Sequence, residues 1–458
     1  MDHPAIDNAV ILAAGRVFNR PGEPAPSSPL TSVGGLSLFQ RTLFTLQRGG
    51  ISRLVVLAGD ETEALKDQIQ GDTRVKADVR WLPTREFSPD DPRTWEGIAG
   101  MFGGPYLVAA TGAVFAASLV ARVREEGRKH EPIVVVKDDT MLAAGEPAAI
   151  RKALSGRAEG GGVVMVETSV EPIPAVELVA VPETFTSSGW ASTQEGPYPL
   201  QAALERGIRQ GQVKVLPLGS DWYQEVNVEG GTSAAAAERT LLRSLKGGLE
   251  GFVDRHFNRR CSKWITRMLL QTPLTPNAVT VLATLVGLLA AVTFAGGGYA
   301  AGIVGALLFQ LSAVLDCCDG EVARLKFMES SFGERLDVAL DNVVHIGLYA
   351  GMGWAAYRSG WGTFALGLAG LAIIGNAAAF VVVQRAFKVR DTLDTHRRRR
   401  VEAILNRLVS RDFSVLILAL ALIGHVEWFL LLAAIGSNIF WPLLAVQLKP
   451  AKLYISPR

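Results

Sequence analysis

Cysteine and histidine are scarce in this chain of 458 residues, with three of the first and six of the second. So few thiols exclude a disulfide framework. Cys317 and Cys318 are adjacent, but no histidine or further cysteine completes a soft-metal site beside them, so they read as small helix-packing residues. Net charge is nearly absent too: a formal value of +2 argues against a nucleic-acid partner. The first residues lack the apolar core of a secretory signal. Ala9–Ala14 is too short for one and reads as a strand, so the N-terminal region is expected to stay in the cytoplasm.

What is plentiful is apolar sequence, and it gathers in the second half. Pro276–Gly297, Tyr299–Leu315, Leu336–Tyr357, Thr363–Val383, Phe413–Ile423 and Trp428–Val446 give six candidate membrane spans, the fifth of them short. Brief connections at Gly296–Gly298, Arg358–Gly362 and Gly424–Glu427 predict antiparallel hairpins. Basic residues collect before the first span (Arg255, Arg259, Arg260, Lys263, Arg267). They collect again between the fourth and fifth (Lys388, Arg390, Arg397–Arg400, Arg407, Arg411). The positive-inside rule places both groups on the cytoplasmic side. The run of four arginines reads as a surface facing lipid phosphates.

Against this apolar background stand four aspartates within twenty-six residues: Asp316, Asp319, Asp337 and Asp341. Asp316 and Asp319 are spaced i, i+3 and share a helix face. Asp337 and Asp341, at i, i+4, share a face of the next helix, and Glu329–Gly333 can supply the turn that opposes the two. Converging carboxylates raise one another's pKa unless cations neutralise them. Oxygen-only ligands favour hard ions such as Mg2+ or Mn2+, and a carboxylate cage around such ions suits the clamping of a diphosphate. Acids at membrane depth are costly and functional by default.

The spacing D-x2-D-G-x2-A-R-x8-G-x3-D-x3-D is complete at its eight positions. On that pattern the chain resembles the CDP-alcohol phosphotransferase (CDP-alcohol phosphatidyltransferase) family. The resemblance implies that Asp316, Asp319, Asp337 and Asp341 hold two divalent cations and the diphosphate of a CDP-alcohol donor. It implies catalytic roles for Asp337 and Asp341, with Asp341 as general base toward the acceptor hydroxyl. Gly320 and Ala323 would let the nucleotide approach closely, Arg324 would neutralise phosphate charge, and Gly333 would permit the turn. Arg411 resembles a position that binds the acceptor's phosphate in inositol-phosphate-type members; a membrane anchor is the alternative. A homodimer through the membrane helices, in contact with lipid, also follows from the resemblance.

Residues 1–230 read differently. Short β-branched runs at Val10–Ala13, Leu54–Ala58, Tyr106–Ala110, Ile133–Val136, Val163–Glu167, Glu177–Val181 and Val213–Leu216 alternate with helical stretches at Leu38–Gln47, Phe115–Glu126 and Pro147–Leu154. That alternation predicts an α/β fold with a mainly parallel, Rossmann-type sheet. Leu12-Ala13-Ala14-Gly15 resembles the opening of the sugar-phosphate nucleotidyltransferase fold. The resemblance lapses where its chemistry belongs: Val17 replaces a loop glycine, Asn19–Arg20 displaces the arginine, and Ser28 replaces a lysine. Thr111-Gly112 replaces a metal-binding aspartate, and Glu225 and Asn227 stand where an aspartate pair is expected. Nucleotidyl transfer needs cationic neutralisation of the triphosphate, so this domain reads as degenerate.

The expected organisation is therefore a cytoplasmic domain over 1–230, a linker with an amphipathic juxtamembrane helix over 231–271, and an all-α six-helix transmembrane domain over 272–458. Thr272-Pro273-Leu274-Thr275-Pro276-Asn277 supplies a helix-start signal at the last junction. The whole resembles bifunctional inositol-phosphate cytidylyltransferase/di-inositol-phosphate-phosphate synthase proteins. The function expected is transfer of a substituted phosphate from a CDP-alcohol to an acceptor hydroxyl, an inositol phosphate being one candidate, with release of CMP. Alternatives are a bifunctional enzyme that also makes CDP-inositol in its N-terminal domain, a non-catalytic nucleotide-binding membrane protein, and a six-helix transporter. A transporter would not need Gly320, Ala323 and Gly333 at these spacings.

Overall fold

The computed structural model describes residues 6–13, 15–17, 25–127, 132–136, 175–181, 199–210, 212–227, 232–245, 258–389 and 413–448. The chain divides into two compact units, Met1–Ser244 and Leu245–Arg458.

The first unit runs β1 (Asn8–Leu12), β2 (Ser32–Val33), β3 (Leu36–Ser37), α1 (Leu38–Arg48), β4 (Arg53–Ala58), α2 (Thr62–Ile69), β5 (Asp78–Pro83), α3 (Pro92–Phe102) and β6 (Tyr106–Ala110). It continues through β7 (Ala113–Phe115), α4 (Ala117–Glu126), β8 (Ile133–Val136), β9 (Ala175–Val181), α5 (Pro199–Gln210), β10 (Lys214–Pro217), β11 (Tyr223–Glu225) and α6 (Thr232–Ser244). Seven strands form one sheet in the order β10-β8-β9-β6-β1-β4-β5. β9 is antiparallel to both neighbours, and the other pairings are parallel. Strands β1, β6 and β8 are buried at every residue, as unbroken apolar runs in a helix-covered parallel sheet should be.

Two local readings are corrected. β5 is a strand absent from the expected set: Asp78-Val79-Arg80-Trp81 alternates charged and apolar residues, as a partly exposed strand does, and at the sheet edge it pairs only with β4. Phe115, expected to open a helix, instead closes β7 against Tyr223 of β11, and the helix begins at Ala117. The strand expected at Val163–Glu167 and the helix at Pro147–Leu154 lie outside the described residues. α1 starts on a closed capping box: Ser37 Oγ accepts from Gln40 N, and Gln40 Oε1 accepts from Ser37 N. In the same helix Arg41 is 3% exposed and donates to the carbonyls of Val33 and Gly34. Burial pushes its pKa down to about 9, partly opposed by Glu238 of α6.

The second unit is helical: α7 (Arg259–Leu270), α8 (Pro276–Gly296), α9 (Tyr299–Leu325), α10 (Ser331–Ala356), a π-turn (Tyr357–Trp361), α11 (Thr363–Val389), α12 (Phe413–Leu422) and α13 (Glu427–Gln447). Thr275 caps α8 by accepting from Ala278 N, with Pro276 at the first helical position. Among the described residues four helices are long and apolar enough to cross a bilayer, at Pro276–Gly296, Tyr299–Leu325, Thr363–Ala386 and Glu427–Gln447. The described residues do not confirm the expected count of six. α10 has the length but carries Glu334, Arg335, Asp337 and Asp341 in its first half, and α12 has only 10 residues. The outward residues Leu285, Val292, Ile374, Val381, Leu432 and Leu443 are exposed, the arrangement lipid-facing surfaces require.

Small residues let these helices approach. A Cβ at Gly351 of α10 would overlap the Ala291 carbonyl of α8, and one at Gly287 would lie 2.7 Å from Val344 Cγ1. α7 is attached to α9 by polar groups instead. Asn258 Oδ1 accepts from Gln310 Nε2 at 2.6 Å, and the wholly buried Glu321 accepts from Ser262 Oγ at 2.9 Å and Thr266 Oγ1 at 2.7 Å. Cys318, read as a packing residue, is buried beside the same helix, with Sγ 3.6 Å from the Ser262 carbonyl. Replacing Ser262 by Ala and Thr266 by Val together removes two donors from a buried carboxylate, a loss expected to cost about 2–5 kcal/mol. A lowered thermal midpoint of the detergent-solubilised protein is the expected readout.

Candidate active site

Three helix ends build the site: the start of α8, the last turns of α9 and the start of α10. They surround a cavity of about 540 Å³ lined by Asn277, Thr280, Asp319, Gly320, Ala323, Arg324, Gly333 and Asp337, among others. The chain reverses between α9 and α10 at Phe327, a non-glycine residue with φ 55°. Lys326 secures that corner by donating to the carbonyls of Thr272 (2.7 Å) and Leu274 (3.3 Å). Ser330 then caps α10 by accepting from Gly333 N at 3.0 Å.

Gly333 therefore does not make the turn. It sits inside the first turn of α10, and a Cβ there would lie 2.9 Å from Asn277 Oδ1 and 3.1 Å from Ser330 Oγ. Its smallness allows the starts of α8 and α10 to touch. At Gly320 a Cβ would meet nothing nearer than Arg324, at 3.7 Å, so this glycine borders open cavity.

Asp316, Asp319 and Asp337 each present a carboxylate oxygen, and the three atoms lie within 4.8 Å of one another. Asp316 and Asp319 are 8% and 7% exposed, and Asp337 is half-buried. Such proximity of buried negative groups is unfavourable without a countercharge. The donor set is all oxygen, and it fits a hard divalent cation. Asp341 lies one turn further along α10 and outside this group. Thr280 Oγ1 donates to Asp319 Oδ2 at 2.5 Å. Arg324 lines the cavity, and its Nε–H is buried with no acceptor among the described residues. Arg411 lies outside the described residues.

Asn277 and Thr280 were missed as site residues, although the helix-start signal had marked the segment. Their signal was the placement of two polar side chains, three apart, on the first turns of an otherwise apolar span.

The family model described as CDP-alcohol phosphatidyltransferase matches residues 273–440, the part of the chain that holds this site. The bifunctional IPC transferase and DIPP synthase of Rubrobacter xylanophilus is 30% identical over 427 residues, covering 88% of this chain and 85% of that protein. The protein of the same description from Thermococcus kodakarensis is 27% identical, covering 74% and 73%. Among solved structures, the inositol-1-phosphate CTP transferase from T. maritima aligns with 52% of this chain and 97% of its own, at 14% identity and a TM-score of 0.35. The chain belongs to the CDP-alcohol phosphatidyltransferase family. It is an integral-membrane transferase that moves a substituted phosphate from a CDP-alcohol to the hydroxyl of an acceptor alcohol.

The contact between Gly333 and Asn277 can be tested by volume. Gly333→Ala should cost about 1–3 kcal/mol through overpacking. Gly333→Ala/Asn277→Ala should recover part of the lost thermal midpoint, because the nearer clash is removed.

Proposed function

We propose that the carboxylate group of Asp316, Asp319 and Asp337, with Asp341 one turn away, carries the phosphotransfer chemistry of this enzyme. The single observation supporting it is the convergence of three acidic side chains within 4.8 Å beside a cavity that Arg324 also lines. Asp316, Asp319 and Asp337 would hold Mg2+ or Mn2+, two ions with Asp341 contributing. Bound there, divalent cations would neutralise the donor's diphosphate and polarise its phosphorus. Gly320 and Ala323 leave room for the diphosphate beside α9, and Arg324 donates to a phosphate oxygen. Asp341, outside the three-carboxylate group, takes the proton of the acceptor hydroxyl. The hydroxyl oxygen then bonds to the phosphorus of the substituted phosphate, the bond to the CMP oxygen breaks, and CMP leaves with that electron pair.

The relatives' shared description favours an inositol phosphate as acceptor and an inositol-phosphodiester or phospholipid product, and Arg411 is the candidate contact for the acceptor's phosphate. The basic residues before α8 and after α11 support a cytoplasmic location for the site and the N-terminal domain. A homodimer through the membrane helices, surrounded by lipid, completes this reading. Asp337→Asn and Asp341→Asn should each reduce CMP release by at least ~100-fold while the protein stays folded in detergent. Chelation of divalent ions should abolish turnover in the wild type, and near-normal turnover in both variants would remove the proposal.

For the first unit we infer that the fold is kept and the nucleotidyl chemistry is not. Its parallel strands diverge on either side of β1, so a nucleotide would be expected beyond the ends of β1 and β6. Thr111, at that point, has its hydroxyl 3.4 Å from the carbonyls of Leu12 and Ala13. Asn227 accepts from Arg16 Nη2 at 2.9 Å, where an acid would have offered a metal ligand. The purified full chain given CTP, Mg2+ and inositol 1-phosphate should release no pyrophosphate. Robust release would restore the bifunctional reading that the relatives' description carries.

A further inference from the structure

We propose that Thr280 is a positioning residue for the acidic group, holding the carboxylate of Asp319 in the orientation that cation binding requires. The inference rests on the cation reading given above. Thr280 is on the second turn of α8, and Asp319 is on the last turns of α9, so the contact joins two helices. Both side chains are buried, at 4% and 7% exposure. The Thr280 hydroxyl has one proton and two candidate acceptors: Asp319 Oδ2 at 2.5 Å and the Pro276 carbonyl at 3.2 Å. The charged and nearer oxygen takes it, at the short distance expected of an O–H donor on a carboxylate.

The physical need for this contact comes from the neighbouring acids. With Asp316 and Asp337 oxygens inside 4.8 Å, the Asp319 carboxylate is driven to rotate away before any cation arrives. Fixing one oxygen to α8 sets the plane of the carboxylate and the direction of the other. It also ties the depth of α8 to the acids, because Asn277, one turn earlier, packs against Gly333 on α10. Thr280 thus acts through Asp319, as partners of metal-binding side chains commonly do, where their loss costs 10–100-fold in metal affinity.

The test uses the purified full chain and Mn2+ alone, with binding followed by electron paramagnetic resonance in the absence of substrate. Thr280→Val keeps the shape and removes the donor; it should weaken Mn2+ binding by about 10–100-fold. Thr280→Ser, which keeps the hydroxyl, should restore it to within a few-fold. With donor and acceptor supplied, the half-saturating Mg2+ concentration should rise in Thr280→Val in the same proportion, and saturating Mg2+ should recover turnover. Should Thr280→Val fail to fold, Thr280→Cys, a weak donor of similar bulk, should fall between serine and valine. Equal Mn2+ affinity in wild type and the valine or cysteine variant would overturn the role of Thr280. No Mn2+ binding by the wild type would instead overturn the cation reading, and this inference with it.

Discussion

Three carboxylates held within 4.8 Å of one another are the constraint on which the membrane-spanning half of this protein depends. At that separation, and with two of them nearly removed from solvent, ionised carboxylates repel one another across the contact between α9 and α10. The surrounding structure opposes that tendency at several points. Lys326 fastens the end of α9 to the segment before α8, Thr280 bonds across to Asp319, and the cap of α10 places Gly333 directly against Asn277. Each of these is a polar or close steric contact at a helix end. Together they enclose the acids and leave one side open as a cavity.

A neighbouring acid in the same region faces a different helix. Glu321 lies two residues beyond Asp319, yet its face of α9 turns toward α7, where two hydroxyls receive it. Helical geometry separates the two side chains, because residues two apart point in divergent directions. The buried side of α7 accordingly carries Ser262 and Thr266, with Asn258 just before the helix, while Trp264 and Met268 are exposed beside Arg260 and Arg267. An aromatic, sulfur-bearing and basic outer face suits the boundary between lipid and water.

In the first unit the fold rests on residues other than those at the strand ends. The parallel sheet is maintained by apolar runs and by caps such as that of Ser37, none of which depends on acids at the ends of β1 and β6. Thr111 and Asn227 occupy those ends with uncharged side chains that engage nearby backbone and Arg16.

The sequence by itself determined the parts that depend on local pattern. The apolar runs of β1, β4, β6 and β8 marked the sheet, Thr275-Pro276 marked the start of α8, and the spacing of the aspartates placed them on adjacent helix faces. Periodicity and capping are properties of neighbouring residues, so they are visible without a fold. Only the tertiary structure decided the rest. It seated edge strand β5 beside β4, turned Gly333 from a turn residue into a contact between helices, and assigned the turn to Phe327. It also brought Thr280 to Asp319 across thirty-nine positions of sequence and left Asp341 outside the close carboxylate group. Those outcomes depend on which helix ends meet, and distance through space is set by packing between segments rather than by order along the chain.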